Sequence, residues 1–219
     1  MTEQAGRTPR EDRLSGRRLY LCTPDRADLA TFVEACIVGG VDVVQLRDKT
    51  LDDATVVRRA GMVAGVCALF GVPFILNDRP DLAVDAGADG VHVGQDDTSP
   101  ADARRTVGPD AIVGLSTHAP DELERSRAEP VDYVSAGPVV STPTKPGRPG
   151  TGTGYVNAAV QRARHPVFVT GGVSPESVPM LARVGATRFV VVRYLTESDD
   201  PRQAAARLRA VIDREVEPA

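Results

Sequence analysis

Phe74-Ile-Leu-Asn-Asp-Arg-Pro-Asp-Leu-Ala-Val-Asp-Ala-Gly-Ala-Asp-Gly-Val-His-Val-Gly-Gln-Asp-Asp97 is the stretch of sequence that decides the fold. Two apolar runs, Phe74 to Leu76 and Gly90 to Val93, predict strands, and Leu82 to Ala86 between them predicts a short helix. Two parallel strands need a crossover connection, which is usually a helix. The stretch therefore predicts one βα unit of a parallel α/β protein.

Polar residues follow both strands of this unit: Asn77 and Asp78 after the first, and Gln95-Asp96-Asp97 after the second. Either cluster alone is typical of an ordinary surface turn. Successive parallel strands, however, end at the same edge, which is where α/β proteins bind ligands and metals. Asp78 and Asp97 bring carboxylates to that edge without a His or Cys partner, and this ligand set predicts Mg²⁺ rather than zinc.

Strand and helix patterns alternate along the rest of the chain. The further predicted strands are Arg18–Leu21, Val41–Arg47, Ala111–Ser116, Val131–Gly137, Val167–Thr170 and Arg188–Arg193, and the further helices are Asp28–Gly39, Leu51–Phe70, Ser99–Val107, Pro120–Ala128, Tyr155–Arg164, Ser174–Val184 and Pro201–Glu215. Eight βα units within 219 residues predict an α/β fold, a single (β/α)₈ TIM barrel over residues 18–219. A doubly wound open sheet is the alternative, but no Gly-x-Gly-x-x-Gly pattern follows the first strand.

Composition and charge exclude several classes of protein. The formal net charge of -4 argues against nucleic-acid binding, and the lack of an apolar run of about 18 residues argues against a membrane span. Residues 1–17 are polar and Arg-rich, and we expect a disordered leader there. Cys22, Cys36 and Cys67 lack metal-ligand spacing, which predicts core residues in a reducing cytoplasm. The expected partners are small-molecule substrates and, in a homo-oligomer, further copies of the chain, although the oligomeric state is not fixed by the sequence.

Three long polar side chains alternate after the second predicted strand: Gln45, Arg47 and Lys49. In an extended chain, alternate residues point to the same side. These side chains can thus converge on an anionic ligand, and the alternative is that Arg47 and Lys49 are solvated loop charges.

The later strands end in further candidate residues. Ser116 ends strand five, Ser141-Thr-Pro-Thr-Lys145 lies in the loop after strand six, Gly171-Gly172 follows strand seven and Arg193 ends strand eight. A glycine pair that opens a helix presents backbone N–H groups to phosphate, and the helix dipole favours the same charge. The loops after strands seven and eight are the usual phosphate site of TIM barrels.

The use of lysine supports this arrangement. Of the 26 basic residues only Lys49 and Lys145 are lysines, and both fall in loops that should rim the same mouth of the barrel. A compact ammonium suits phosphate oxygens as a point charge. That both lysines fall at the same mouth favours a functional role for them over chance placement.

Other motifs have simpler interpretations. His92 alternates with valines and predicts a packed or supporting imidazole, His118 lies near the mouth with either role open, and His165 is interpreted as structural. Thr151-Gly-Thr-Gly154 lacks the Gly-x-x-x-x-Gly-Lys-Ser/Thr pattern of a nucleotide loop and is interpreted only as flexible.

Taken together, the motifs resemble one known family. Gln45-Leu-Arg-Asp-Lys49, Asn77-Asp78, Val91-His-Val-Gly-Gln-Asp-Asp97, Gly114-Leu-Ser116, Thr142-Pro-Thr-Lys-Pro146 and Gly171-Gly172 resemble thiamine phosphate synthase, from about Leu19 to the C-terminus. The resemblance implies a (β/α)₈ transferase that joins 4-amino-5-hydroxymethyl-2-methylpyrimidine diphosphate to 4-methyl-5-(2-phosphoethyl)thiazole. Diphosphate is released, and Mg²⁺ is the implied cofactor.

The resemblance also implies a role for each matching position. The pyrimidine diphosphate would be held by Gln45, Arg47, Lys49, Asn77, Ser116 and Lys145, the Mg²⁺ by Asp78 and Asp97, and the thiazole phosphate by Thr142, Thr144, Gly172, Val192 and position 193. Arg47, Lys49 and Lys145 would be the catalytic cations, because charge develops on the departing diphosphate. Many relatives carry Ser where this chain has Arg193. Its guanidinium should bind the thiazole phosphate, and the alternative is that it turns to solvent or pairs with a carboxylate.

Two other functions are compatible with the same barrel. A thiazole tautomerase resembles these synthases closely but would not need the diphosphate-binding residues. A non-catalytic sensor of phosphate ligands would not need an intact pair of metal ligands. Both sets of residues are present, which favours the synthase.

Overall fold

The computed structural model describes residues 9–141 and 149–216, and its strands close into a barrel. The strands are β1 Leu19–Thr23, β2 Val43–Leu46, β3 Phe74–Asn77, β4 Gly90–Val93, β5 Ile112–Thr117, β6 Tyr133–Ala136, β7 Val167–Thr170 and β8 Phe189–Val191. Each pairs in parallel with its neighbours in sequence order, and β8 pairs with β1 through Tyr20 and Val190. The predicted TIM barrel is confirmed.

The strands form because their residues are apolar on both faces, as a parallel sheet covered by helices requires. On β1, Leu19 and Leu21 pack outward in the layer between sheet and helices. Tyr20 and Cys22, which alternate with them, point into the barrel and join an inner cluster. Phe168 closes this inner layer, with its ring 5.4 Å from Tyr20 and edge-to-face. The barrel interior is therefore a packed core below an open mouth.

Helices surround the barrel. They are α1 Pro9–Leu14, α2 Leu29–Val38, α3 Asp53–Phe70, α4 Pro80–Ala83, α5 Pro100–Val107, α6 Pro120–Ser126, α7 Gly152–Arg162, α8 Val178–Arg183, α9 Arg193–Thr196 and α10 Pro201–Glu215. The bounds of α3 follow from its caps: the Asp52 side chain accepts from the Thr55 N–H, and Gly71 ends the helix in the left-handed conformation. No helix in the described ranges is long and apolar enough to cross a membrane.

Helix α1 lies where the sequence predicted a disordered leader. Leu14 is only 2% exposed and packs into the inner barrel cluster, at the end opposite the mouth. Arg10 pairs with Asp132 at 2.6 Å and Arg13 with Asp89 at 2.8 Å, which ties the helix to loops that precede β6 and β4. The prediction of disorder therefore does not hold for residues 9–17, and residues 1–8 lie outside the described part of the chain.

A second difference concerns the start of α7. Thr151-Gly-Thr-Gly154 was expected to be flexible, but Gly152–Gly154 form the first turn of this helix. The backbone N–H groups of Thr151 and Gly152 donate to the carbonyls of Pro138 and Val139, at 2.8 and 3.0 Å. These bonds anchor the start of the helix beside the end of β6.

Candidate active site

A cavity of about 390 Å³ opens at the carboxyl ends of the strands. Every predicted site residue within the described ranges lines it: Gln45, Arg47, Lys49, Asn77, Asp78, Asp97, Ser116, Gly172, Val192 and Arg193. Thr142, Thr144 and Lys145 lie outside the described residues. The alternation of Gln45, Arg47 and Lys49 along the chain does bring all three side chains to one side, as predicted.

Two carboxylates and an ammonium meet on one side of the mouth. The Lys49 Nζ lies 2.7 Å from Asp78 Oδ2 and 3.9 Å from Asp97 Oδ1. The Gly94 N–H donates to Asp97 Oδ2 at 3.0 Å, and the Asp78 N–H donates to the His92 carbonyl at 2.8 Å. Asp78 is held in the left-handed region at φ 60°, which Asp tolerates better than most residues do. The backbone thus fixes both carboxylates toward the same point.

The electrostatics of this cluster favour a bound cation. Burial raises the pKa of Asp78, the nearby Asp97 raises it further, and Lys49 opposes the shift. A divalent cation at this point would relieve the cost of two neighbouring carboxylates. The described residues contain no cluster of three or more His, Cys, Asp or Glu side chains placed to hold a metal. Mg²⁺ is commonly held by one or two carboxylates together with substrate phosphates, so Asp78 and Asp97 fit that mode of binding.

Arg47 supplies a second positive charge beside this cluster. Its side chain is half-buried at the mouth and makes no ion pair with a described carboxylate. Two other half-buried arginines have such partners: Arg104 lies 2.6 Å from Asp132, and Arg59 lies 2.5 Å from Asp25. A cation without a protein counter-ion is suited to an anionic ligand, since burying charge unpaired is unfavourable.

A glycine turn forms the opposite rim. Gly171 and Gly172 have φ values of 96° and 76°, where a side chain would be strained. There is also no room for one, because an added Cβ would lie 2.5 Å from Pro138 at Gly171 and 2.5 Å from Val140 at Gly172. The backbone therefore lines the cavity directly, which suits an anion bound by N–H groups.

The end of strand eight differs from the prediction. β8 ends at Val191, and Arg193 is the first residue of the short helix α9 rather than the last residue of the strand. The chain turns at Val192, with φ −125° and ψ −90°, and the Val192 carbonyl accepts from the N–H groups of Leu195 and Thr196. Val192 and Arg193 nevertheless line the cavity, next to the glycine turn.

The floor of the cavity is a hydrogen-bonded layer that the sequence did not reveal as part of the site. Tyr20 and Tyr133 are buried, and their hydroxyl oxygens are 2.9 Å apart. Tyr20 also accepts from Gln45, and Tyr133 bonds His92. The sequence does carry one indication of their role: the position of each tyrosine on its strand points its side chain into the barrel. Gly114 completes the arrangement, because a Cβ there would lie 2.1 Å from the Tyr133 ring.

The three histidines fall into different surroundings. His92 is buried and hydrogen-bonded to Tyr133 and Ser116, which agrees with its interpretation as a packed or supporting side chain. The His118 Nδ1 lies 2.9 Å from a Glu122 carboxylate oxygen, on α6 beside the barrel. His165 lies in the turn between α7 and β7.

Comparison with known proteins adds the evidence of relatives. A family model described as thiamine monophosphate synthase matches residues 19–195. A protein named thiamine-phosphate synthase from Mycobacterium tuberculosis is 41% identical over 216 residues, covering 92% of this chain and 97% of the relative. A protein of the same name from Thermus thermophilus is 45% identical over 198 residues, covering 88% of this chain and 95% of the relative. A solved thiamine phosphate pyrophosphorylase from Pyrococcus furiosus has a TM-score of 0.85 at 23% identity, covering 94% of this chain and 99% of that one, which supports the fold.

Proposed function

The chain belongs to the thiamine monophosphate synthase family, and from this premise we propose that it is a thiamine phosphate synthase, a transferase that makes a C–N bond. In the reaction, the bond between the methylene carbon of the pyrimidine and the diphosphate oxygen breaks, and its electron pair leaves with diphosphate. The lone pair of the thiazole nitrogen forms the new bond to the same carbon. The products are thiamine phosphate and diphosphate.

We assign the diphosphate to the side of the mouth that carries Arg47 and Lys49, with Gln45, Asn77 and Ser116 below them toward the floor. Lys145 is proposed to join them from the loop after β6. As the leaving group departs, negative charge accumulates on it, and preorganised cations lower the energy of that state. No carboxylate within residues 9–141 and 149–216 pairs with Arg47, which supports this role because its charge is available to a ligand.

Asp78 and Asp97 are proposed to hold Mg²⁺ together with diphosphate oxygens. The bound ion would supply Lewis-acid stabilisation of the leaving group. The chain's own contribution is to fix the two carboxylates through the Gly94 and Asp78 backbone bonds. Lys49, which contacts Asp78 in the free protein, is then free to turn to a phosphate oxygen.

The thiazole phosphate is proposed to bind the opposite rim, at Gly172, Val192 and Arg193, with Thr142 and Thr144 from the same loop as Lys145. Anchoring the phosphate there positions the thiazole nitrogen over the reacting carbon. Holding two reactants in this way converts a bimolecular step into an effectively unimolecular one. No side-chain nucleophile is needed, because the nitrogen lone pair and the leaving group complete the reaction.

One observation carries this proposal: a single cavity contains two binding regions. The first is the cluster of acidic and basic side chains, which suits a metal ion and diphosphate. The second is the glycine turn, which suits a second phosphate. The test is to incubate the purified chain with both substrates and Mg²⁺, and to measure thiamine phosphate and diphosphate. We expect equal amounts of the two products and none when either substrate is omitted. Isomerisation of a thiazole without diphosphate release would identify a tautomerase instead. Binding of both substrates without turnover would identify a sensor.

Cytoplasmic location and a homo-oligomeric state remain predictions. None of the three cysteines forms a disulfide and all are buried, which supports a reducing compartment.

A further inference from the structure

The loop after β1 contacts the far end of the short helix α9. The Arg26 Nη1 donates to the carbonyl oxygen of Thr196 at 3.3 Å, and Thr196 is the last residue of α9. Carbonyl groups in the last turn of a helix have no partner within the helix, and a basic side chain can supply one. The end of α9 is therefore bonded to a loop that lies 170 positions earlier in the chain.

The Arg26 guanidinium is oriented by two contacts of its own. Its Nε and Nη2 lie 2.5 and 3.1 Å from the two carboxylate oxygens of Asp28, which is the bidentate geometry that a guanidinium forms with a carboxylate. Its central carbon lies 3.9 Å from the centre of the Phe32 ring, and Phe32 is buried on α2. Because both contacts come from the same loop and the helix that follows it, the guanidinium is oriented independently of α9.

The backbone of this loop is fixed as well. The Arg59 Nε on α3 lies 2.5 Å from a carboxylate oxygen of Asp25, and a second nitrogen of the same guanidinium donates to the Arg26 carbonyl. The side chains of this pair are largely buried, so salt screens their attraction less than that of an exposed pair. The Arg26 loop is therefore a fixed point from which α9 can be held.

Helix α9 is a single turn, so a contact at its end also restrains its start. The Thr196 N–H donates to the Val192 carbonyl, and the Glu197 N–H donates to the Arg193 carbonyl, each at 3.0 Å. Val192 and Arg193 line the cavity, whereas Arg26 is not among the described residues that do so. A displacement of Thr196 would therefore move the proposed thiazole-phosphate rim.

We propose that Arg26 is a positioning residue, which uses its bond to the Thr196 carbonyl to hold α9 in the orientation that presents Arg193 to the thiazole phosphate. The consequence for the substrate rests on the proposed synthase function, whereas the restraint on α9 is a property of the free protein. The alternative is that Arg26 only adds positive charge near the mouth. Charge alone would act on the pyrimidine diphosphate at least as strongly as on the thiazole phosphate.

Hydrogen exchange followed by mass spectrometry tests the restraint without any substrate. The amide groups of Leu195, Thr196 and Glu197 report on α9, since each is bonded to a carbonyl of the same turn. In Arg26→Ala, a peptide that contains these residues should exchange about fivefold faster, as expected for the loss of about one hydrogen bond. Arg125→Ala is the matched control, because it removes an arginine that pairs with an aspartate on the exposed side of α6, and it should leave this peptide unchanged. Equal exchange of the peptide in Arg26→Ala and the wild type would overturn the proposal.

Steady-state kinetics test the consequence for the substrate. Arg26→Ala should raise the KM for the thiazole phosphate about fivefold, for the same reason, and should leave the KM for the pyrimidine diphosphate nearly constant. Combined with Arg193→Ser, it should change the thiazole KM by less than about twofold, because the effects of residues that act through one another do not add.

Two kinetic results would overturn the positioning role. An increase in both KM values would show that Arg26 acts through its charge alone. A full effect of Arg26→Ala in the Arg193→Ser background would show that the two arginines act independently. If the wild-type chain makes no thiamine phosphate, the proposed function fails, and the exchange measurement still decides whether Arg26 restrains α9.

Discussion

Lys49 and Asp78 form an ion pair on one side of the barrel mouth, with 2.7 Å between the ammonium nitrogen and a carboxylate oxygen. The two residues follow neighbouring strands, β2 and β3, so the contact joins the proposed diphosphate site to the proposed metal site. The Lys49 side chain is 53% exposed, and ion pairs of this kind contribute little to stability. The pair is therefore better explained by ligand binding than by folding.

Metal dependence is the first prediction. Activity should be lost when divalent cations are chelated and should return when Mg²⁺ is added. Asp78→Asn should lower kcat about 10²-fold, as expected for losing one electrostatic contact. Asn is preferable to Ala here because Asn tolerates the left-handed conformation of residue 78. Steady-state kinetics and urea unfolding should show that activity falls far more than stability.

Asp85→Asn is the matched control, because Asp85 is exposed and does not line the cavity. It should behave as the wild type does. Full turnover of metal-stripped protein in chelator would remove Asp78 and Asp97 from the metal site.

The two lysines provide the second prediction. Lys49→Ala and Lys145→Ala should each lower kcat on the order of 10²-fold, because each removes a cation from the leaving group. Lys→Arg at either position should not restore the full rate, since a planar guanidinium differs from a point charge. Product formation in single turnover measures the effect. Arg58→Ala, on the exposed face of α3, is the control for a general loss of positive charge. Wild-type rates in both folded alanine variants would show that neither lysine acts on the diphosphate.

Helix α1 gives a prediction on stability. Leu14→Ala should lower the free energy of unfolding by roughly 2–5 kcal/mol, because it leaves a cavity in the inner cluster. Urea unfolding followed by circular dichroism measures this. Leu69→Ala is the control, since Leu69 is 84% exposed and its loss should change stability by less than about 0.5 kcal/mol. If the two variants unfold at the same urea concentration, α1 does not pack against the barrel in solution.

The same helix shows why part of the fold was not predictable. The eight strands were predictable from the sequence because each contains a local apolar run. Residues 9–17 contain a single large apolar side chain, Leu14, and so have no hydrophobic periodicity. The partners that order them, Asp89 and Asp132, are distant in sequence, and such pairings are set by the closed barrel.

The candidate site likewise contains some residues that were predictable from the sequence and some that were not. Arg47, Asp78 and Asp97 were predictable because polar residues at strand ends of a parallel barrel must share one mouth. Tyr20 and Tyr133 were not, because an inward aromatic side chain is equally typical of a core without a ligand. Only the depth of the cavity, which follows from packing of the whole barrel, shows that their hydroxyl groups form its floor.

Arg193 gives the last prediction, and it follows from a departure of this chain from the motifs it resembles. The residue opens α9 beside the glycine turn, lines the cavity, and pairs with no described carboxylate, although Glu197, the C-cap residue of the same helix, is four positions later. If its guanidinium binds the thiazole phosphate, Arg193→Ser should raise the KM for that substrate roughly tenfold, the value of about one charge-assisted bond. The KM for the pyrimidine diphosphate should stay nearly constant, because that substrate is assigned to the other side of the mouth. Arg183→Ser, on the exposed side of α8, is the matched control and should change neither constant. An unchanged thiazole KM in Arg193→Ser would mean that the glycine turn binds the phosphate without the guanidinium.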